Sequence, residues 1–396
     1  MPRERAAESR ASGRAREEPD SRPAVMRVYT RLEVGGIEHQ MLNLLPRLNR
    51  GRYRVSLCLL KRPGEMAPWL RERGIEISLI PFRGRLHPLD LHRLATLFRQ
   101  AGVRIVHAHE PASNTSTTVA GRLAHVSVVI CSIENMDSIR GRRRIIQERL
   151  LDRWRHAVVA VSERVRRDYC ETAGIDPGKV TVLYNGVDPK RFDAPPRDPE
   201  RTLGPLGVPK GDRVVICVAR LVPQKSHETL LAAASKVLSR APHTSFLLVG
   251  EGPRLDELRE EAGRLGIASK VIFAGKRDDV PRLLRSSDVS ALVSTREGFS
   301  IFILESLAAG LPVVATDVGG NSEAIEEGHS GFLLPPGDVE GIAQRLTRLM
   351  TDERLRERMS EAARRRAERF SLETTARETE SLYDRLLMAR GIEPPR

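Results

Sequence analysis

The sequence predicts an α/β protein built as two doubly wound parallel sheets that face a central cleft. Three observations lead there. Short β-branched apolar runs alternate with amphipathic segments through most of the 396 residues, the pattern of repeated βαβ units. The apolar runs are continuous rather than alternating, which marks strands covered on both faces, as in a parallel sheet. The alternation stops once, over residues 194–211, and then begins again; a chain this long exceeds what one core of roughly 100–200 residues usually holds.

Taken in order, the first 24 residues contain almost no large apolar side chain. They cannot offset chain entropy by burial, so a disordered basic tail is expected over 1–24. Met26 opens the first periodic segment, "MRVYTRL", and a native start at Met26 is an expectation that the intact N-terminal mass would test. Strand runs follow at 54–60, 76–80, 103–107, 126–133, 157–161 and 179–184, with helical spacing over 36–49, 89–101 and 163–173. Residues 194–211 hold five prolines and no periodicity, and read as a linker. Strand runs resume at 213–219, 245–250, 270–275, 289–294, 312–316 and 331–335, before Arg/Glu-rich helices over about 338–389. The expected division is therefore a first domain at 25–193, a second at 212–371, and a closing helix and tail at 372–396. In such sheets ligands bind beyond the carboxyl ends of the strands, so the crevice between the two domains is the expected site.

Composition is that of a globular protein, with 40% hydrophobic and 30% charged residues. No apolar run has the roughly 18 residues of a membrane span, and no apolar signal core follows the N-terminus, so cytoplasmic residence is expected. Cys58, Cys131, Cys170 and Cys217 are scattered without ligand spacing and read as buried thiols. The net charge is +13, and it is unevenly placed. Residues 25–200 carry 30 Lys and Arg against 19 acids, while residues 201–396 carry 29 against 28. An excess confined to one half favours an anionic partner for it, although an Arg-rich composition throughout the source would read alike.

The motifs sit where strands end. "EVGG" (33–36) precedes a helix, and Gly35 and Gly36 would let backbone amides approach a phosphate; a tight turn is the structural alternative. It is not GxGxxG, which weakens a dinucleotide oxidoreductase. "ARLVPQK" (219–225) sets Arg220 and Lys225 around a proline-bearing loop, a pairing suited to a diphosphate, where simple surface cations are the alternative. "GEGP" (250–253) and "AGKRDD" (274–279) place Gly250, Gly275 and Lys276 in turns that can meet a base or ribose, or serve only as turns. "EGFSIFILE" (297–305) brackets an apolar run between two carboxylates. Glu297 and Gly298 fall in a strand-to-helix turn, and Phe299 or Ser300 begins the helix. Glu305 lies among apolar side chains, where an unpaired carboxylate is costly and must find a donor, either ribose hydroxyls or a buried cation. Helix-start amides between the two carboxylates would receive a phosphate.

From about Met26 to Asp384 the chain closely resembles glycosyltransferase family 4, retaining nucleotide-sugar enzymes of GT-B fold. The resemblance rests on "TRLEVGGIEHQMLNLL", "IVHAHEP", "VVAVSERV", "VTVLYNGVDPKRF", "ARLVPQKSHETLL", "LVGEGPRLDEL" and "EGFSIFILESLAAGLPVVATDVGG", in that order and spacing. It implies that Glu297 contacts donor-sugar hydroxyls and Glu305 the ribose. It implies that Arg220 and Lys225 bind the diphosphate and stabilise the leaving group, with Gly35 and Gly36 bringing first-domain backbone to the phosphates. Gly298, Phe299 and Ser300 belong to the same donor-binding stretch, and "GGN" (319–321) with Glu323 would shape the donor pocket. The resemblance further implies a UDP- or GDP-sugar donor, no bound metal or cofactor, and a helix at 372–388 crossing back onto the first domain. One departure matters: where many members carry a histidine after the run at 126–133, this chain reads "CSIENMD". Glu134 or Asn135 occupies that place, and His109 is a further catalytic candidate.

"RGRRRIIQERLLDRW" (140–154) reads as a basic amphipathic helix able to rest on anionic lipid or hold a lipid-linked diphosphate acceptor; a solvated face on a core helix is the alternative. The expected partners are a nucleotide sugar, a saccharide or lipid-linked acceptor and an anionic membrane surface. A GT-B nucleotide-sugar epimerase would share the architecture, but the motifs match transferases. A nucleic-acid binder would explain the charge, yet no basic patch is interleaved with aromatics, which are only 4% of residues.

Overall fold

The computed structural model describes residues 20–32, 36–135, 139, 141–193 and 197–394, with side chains from residue 40 onward in the first helix. The predicted strands pair into two parallel sheets. The first contains β1 (Ala24–Tyr29), β2 (Arg54–Leu59), β3 (Glu76–Leu79), β4 (Val103–Ala108), β5 (Val128–Ile133), β6 (Ala157–Ala160) and β7 (Val180–Val182), in the order β3-β2-β1-β4-β5-β6-β7. The second contains β8 (Arg213–Val218), β9 (Thr244–Val249), β10 (Val271–Gly275), β11 (Val289–Leu292), β12 (Val313–Thr316) and β13 (Gly331–Leu334), in the order β10-β9-β8-β11-β12-β13. Both orders reverse direction after their first strand, between β1 and β4 and between β8 and β11. A crevice opens at each switch point, beyond the carboxyl ends of the strands.

Burial explains the continuous apolar runs. Every residue of β1, β5, β6, β9, β11 and β12 is buried, because helices cover both sheet faces. The four cysteines are free and buried, and desolvation pushes the Cys58 and Cys217 thiols up to about 12. The helix Leu372–Met388 returns to the first sheet, where Leu372, Ala376, Leu382, Tyr383 and Leu387 share a core with Val25, Leu57 and Ile105.

Two local readings need correction. The first strand begins at Ala24, the last residue of the expected tail, and buries Val25 completely, while residues 1–19 lie outside the described residues. The segment read as a linker is partly helical: Asp198 caps Pro199–Leu203, and Leu203 joins a core cluster that draws on both halves. Proline at the first helical position needs no amide hydrogen bond, so this proline marked a helix start rather than a break.

Candidate active site

On the first half's side of the crevice, the ends of β1, β4 and β5 converge. Arg27 is buried, and its Nη1 lies 2.9 Å from His109 Nε2. A guanidinium only donates, so that ring nitrogen must accept and the proton of the neutral imidazole sits on Nδ1. Nδ1 in turn lies 3.3 Å from Glu134 Oε1 and donates to it. Burial, then the neighbouring His107 and Arg27, hold the His109 imidazole well below its usual range, so it stays neutral near pH 7. His107 stacks on His109 at 4.3 Å and bonds Tyr383 Oη (3.0 Å) and Ser132 Oγ (2.8 Å). The two histidines thus form one buried network, and His109 and Glu134 line a small pocket together with Tyr184 and Asn185.

On the other side, Lys225 Nζ lies 2.5 Å from Glu297 Oε1, which also accepts from Ser294 Oγ at 2.6 Å. The two residues read separately in the sequence are therefore one ion pair, leaving the second carboxylate oxygen and two ammonium protons for a ligand. Ser300 is the N-cap of the helix Ile301–Ala308, its Oγ accepting from the Ile303 amide at 3.4 Å. That helix sends Ile301, Phe302 and Glu305 into a cleft of about 900 Å³, also lined by Arg220, Gly250 and Lys276. Arg220 is exposed there, and among the described residues no carboxylate pairs with it. Glu305 keeps 17% of its side chain exposed and has one distant cation, Arg191 Nη1 at 3.9 Å. Burial outweighs Arg191 and pushes its carboxyl up to about 7. Gly250 is required by approach: with φ 136, a Cβ there would meet the Ala219 carbonyl oxygen at 2.1 Å.

The cleft is bridged from both sides. Lys276 Nζ reaches Glu65 in the first half at 2.9 Å. Gly298 packs so closely on Glu134 that an added Cβ would lie 1.8 Å from its carbonyl oxygen. Asn185 Nδ2 donates to the Phe299 carbonyl (3.0 Å), and Ser162 Oγ to the Gly298 carbonyl (3.3 Å). Glu323 crosses over entirely: its carboxylate accepts the Glu163 and Arg164 amides at 2.8 Å each, capping the helix Glu163–Ala173, and Tyr184 Oη at 2.9 Å.

Several sequence-predicted positions fall elsewhere than expected. Phe299 turns its ring away into a cluster with Tyr184 and Phe370, so only its backbone faces the crevice. Gly275 does not line the cleft and instead accepts the Gly250 amide at 2.8 Å. Glu323 caps a first-half helix rather than lining the cleft. Gly36 starts the helix Gly36–Leu44, while Gly35 lies outside the described residues. Asn135 is half-buried at the end of β5, beside Glu134. Arg27, Ser162 and Asn185 had escaped the sequence reading. Arg27 alone left a signal, a charged residue inside the otherwise apolar run of β1. Among the described residues no group of three or more His, Cys, Asp or Glu is placed to hold a metal.

Two parallel α/β sheets facing a ligand-sized cleft, with a helix returning to the first, are the GT-B architecture of nucleotide-sugar transferases. The family described as Glycosyltransferase Family 4 matches residues 34–191, and that described as Glycosyl transferases group 1 matches 200–366. The chain belongs to this glycosyltransferase family. It is similar to phosphatidyl-myo-inositol mannosyltransferase of Mycolicibacterium smegmatis, 28% identical over 366 residues, covering 88% of this chain and 90% of the relative. It is also similar to D-inositol 3-phosphate glycosyltransferase of Rhodococcus erythropolis, 30% identical over 344 residues, covering 79% and 76%. Its fold resembles that of Anabaena HepE, solved in complex with UDP and glucose, with a TM-score of 0.82 at 22% identity over 91% of this chain and 99% of that one.

Proposed function

We propose that this glycosyltransferase moves a sugar, with retention of anomeric configuration, from a UDP-sugar to a lipid-linked saccharide at the cytoplasmic face of a membrane. The observation that carries the donor site is the cleft itself, in which an unpaired Arg220 and a desolvated Glu305 face one cavity of about 900 Å³. Glu305 accepts ribose hydroxyls, and Arg220 takes the diphosphate. Lys225, held by Glu297, adds charge beside it, while the free oxygen of Glu297 accepts a sugar hydroxyl. The acceptor oxygen attacks the anomeric carbon on the face the diphosphate leaves. The carbon–oxygen bond to phosphate breaks, the departing phosphate oxygen takes the acceptor proton, and Arg220 and Lys225 balance its charge. Glu134, fixed by His109, and Asn135 line the sugar from the first half, with Gly36, at the start of its helix, bringing backbone to the phosphates.

The donor reading agrees with the UDP complex of HepE. The acceptor reading agrees with the name of the M. smegmatis relative and with that of an Escherichia coli galactosyltransferase acting on a diphosphoundecaprenol, 24% identical over 84% of this chain. Calorimetric titration with UDP, GDP and their common sugars, on wild type and Glu305→Ala, tests the donor site. UDP-sugar binding lost in the variant supports the reading; equal binding by both proteins refutes it. The anomeric proton coupling of the product tests retention.

A further inference from the structure

A second cavity, of about 790 Å³, opens at the opposite end of the first sheet. Arg122, His125, Arg153, Trp154, His156 and Arg390 line it, and no carboxylate does. Arg155 also reaches it but is committed to the buried Glu148 at 2.5 Å. Among the described residues Arg122, Arg153 and Arg390 have no ion-pair partner. His156 Nδ1 accepts the Val129 amide at 2.9 Å, so its other ring nitrogen carries the proton and is a further donor. Three unpaired guanidiniums around a cavity without a carboxylate repel one another until an anion enters.

The surroundings say which kind of anion. Eight large hydrophobic side chains are exposed among the described residues, and all lie in the first half or on the helix packed against it. Five of them gather around this cavity or on the helix beside it. Trp154 forms part of the wall, while Leu123 follows Arg122 and Met388 precedes the lining residues Ala389 and Arg390. Ile146, Leu150 and Trp154 form a stripe at four-residue spacing along and just beyond the helix Arg142–Asp152. Arg142, Arg143, Arg149 and Arg153 are exposed around that stripe. A soluble phosphate needs no apolar rim. A bilayer surface rewards both features, since apolar side chains enter the headgroup boundary while arginines meet anionic lipid.

We infer that this face docks on an anionic phospholipid membrane and receives a lipid phosphate headgroup in the basic cavity. The strands give the orientation. β5 and β6 start beside the cavity and end toward the transfer cleft, so the two lie one strand length apart, about 20 Å. The helix Arg142–Asp152 runs from the cleft end of the sheet toward the cavity, its first turn tied to the cleft end by Arg144 Nη2 donating to the Pro111 carbonyl at 3.0 Å. A chain lying on this flank holds the cleft end of the first sheet within about one strand length of the bilayer surface. That placement serves a lipid-linked acceptor and there rests on the function proposed above, whereas the docking face does not.

Flotation of the full chain with vesicles tests the inference, using phosphatidylcholine alone and with roughly 30 mol% phosphatidylglycerol, an anionic fraction sufficient to set a negative surface potential. Wild type is expected to float only with the anionic vesicles. Arg122→Ala, Arg153→Ala and Arg390→Ala should each weaken binding about five-fold. Leu150→Ser/Trp154→Ser should also weaken it, with unfolding midpoint and UDP binding unchanged in every variant. The inference is overturned if wild type stays unbound, or floats equally with neutral vesicles. It is also overturned if the serine variant floats like wild type, since the apolar stripe then makes no contact with the bilayer, or if millimolar inorganic phosphate releases the protein, which marks a soluble-anion site. Flotation without nucleotide binding would leave the docking face standing and refute the donor-site reading instead.

Discussion

Glu305 offers a quantitative test of the donor site. Its carboxyl is raised from 4.5 to about 7, chiefly by burial and against the pull of Arg191. A carboxyl with a raised folded-state pKa favours the folded state while protonated, and that contribution is lost as pH rises from the unfolded value through 7. A shift of this size corresponds to about 3 kcal/mol of destabilisation at pH 8, of which under about 1 kcal/mol is present at pH 5. Glu305→Gln, neutral at every pH, should therefore be more stable than wild type by about 3 kcal/mol at pH 8 and nearly equal to it at pH 5, read from urea unfolding. Ribose hydroxyls donate to the ionised form, so a nucleotide sugar must draw a proton off Glu305 when it binds below pH 7. UDP-glucose has no phosphate titrating in this range, and its affinity should fall toward tenfold per pH unit below about 6.5, flatten above 8, and lose this dependence in Glu305→Gln. Calorimetry in buffers of different ionisation enthalpy would show the released proton directly. An identical pH profile in the variant, or a variant less stable than wild type at pH 8, would refute the reasoning.

Three further outcomes follow from the contacts across and within the halves. Gly298→Ala places a Cβ 1.8 Å from the Glu134 carbonyl oxygen, so the halves must separate; transferase activity should collapse while each half's secondary structure, followed by circular dichroism, survives. Glu323→Ala leaves the N-cap Ser162 in place but removes the acceptor of the first two amides of the helix Glu163–Ala173, and should cost about 1 kcal/mol in chemical unfolding, with nucleotide affinity retained because the carboxylate does not line the cleft. Glu148→Ala strands the buried Arg155 guanidinium and should cost roughly 3–5 kcal/mol, measured as a lowered unfolding midpoint of the first half.

The sequence by itself determined the two sheets, because continuous apolar runs between amphipathic helices leave the chain few ways to cover both strand faces. It also determined where the second half's motifs lie along the chain. Glu297, Arg220 and Glu305 lie at the ends of neighbouring strands or on the helix that follows, so position along the chain already fixed which end of the sheet they serve. Only the tertiary structure decided their partners. Lys225 and Glu297 are 72 residues apart and become an ion pair because β8 and β11 are adjacent. Glu323 looked like part of the donor pocket, yet it caps a helix of the other half, a role set by how the halves meet. The proton on His109 follows from Arg27, 82 residues earlier, through a buried contact that no spacing reveals. The basic cavity assembles from the ends of three separate segments, each an ordinary arginine-bearing turn in the sequence. Local order in the chain fixes periodicity and strand ends; which side chains share a cavity depends on the sheet order and the docking of the two halves.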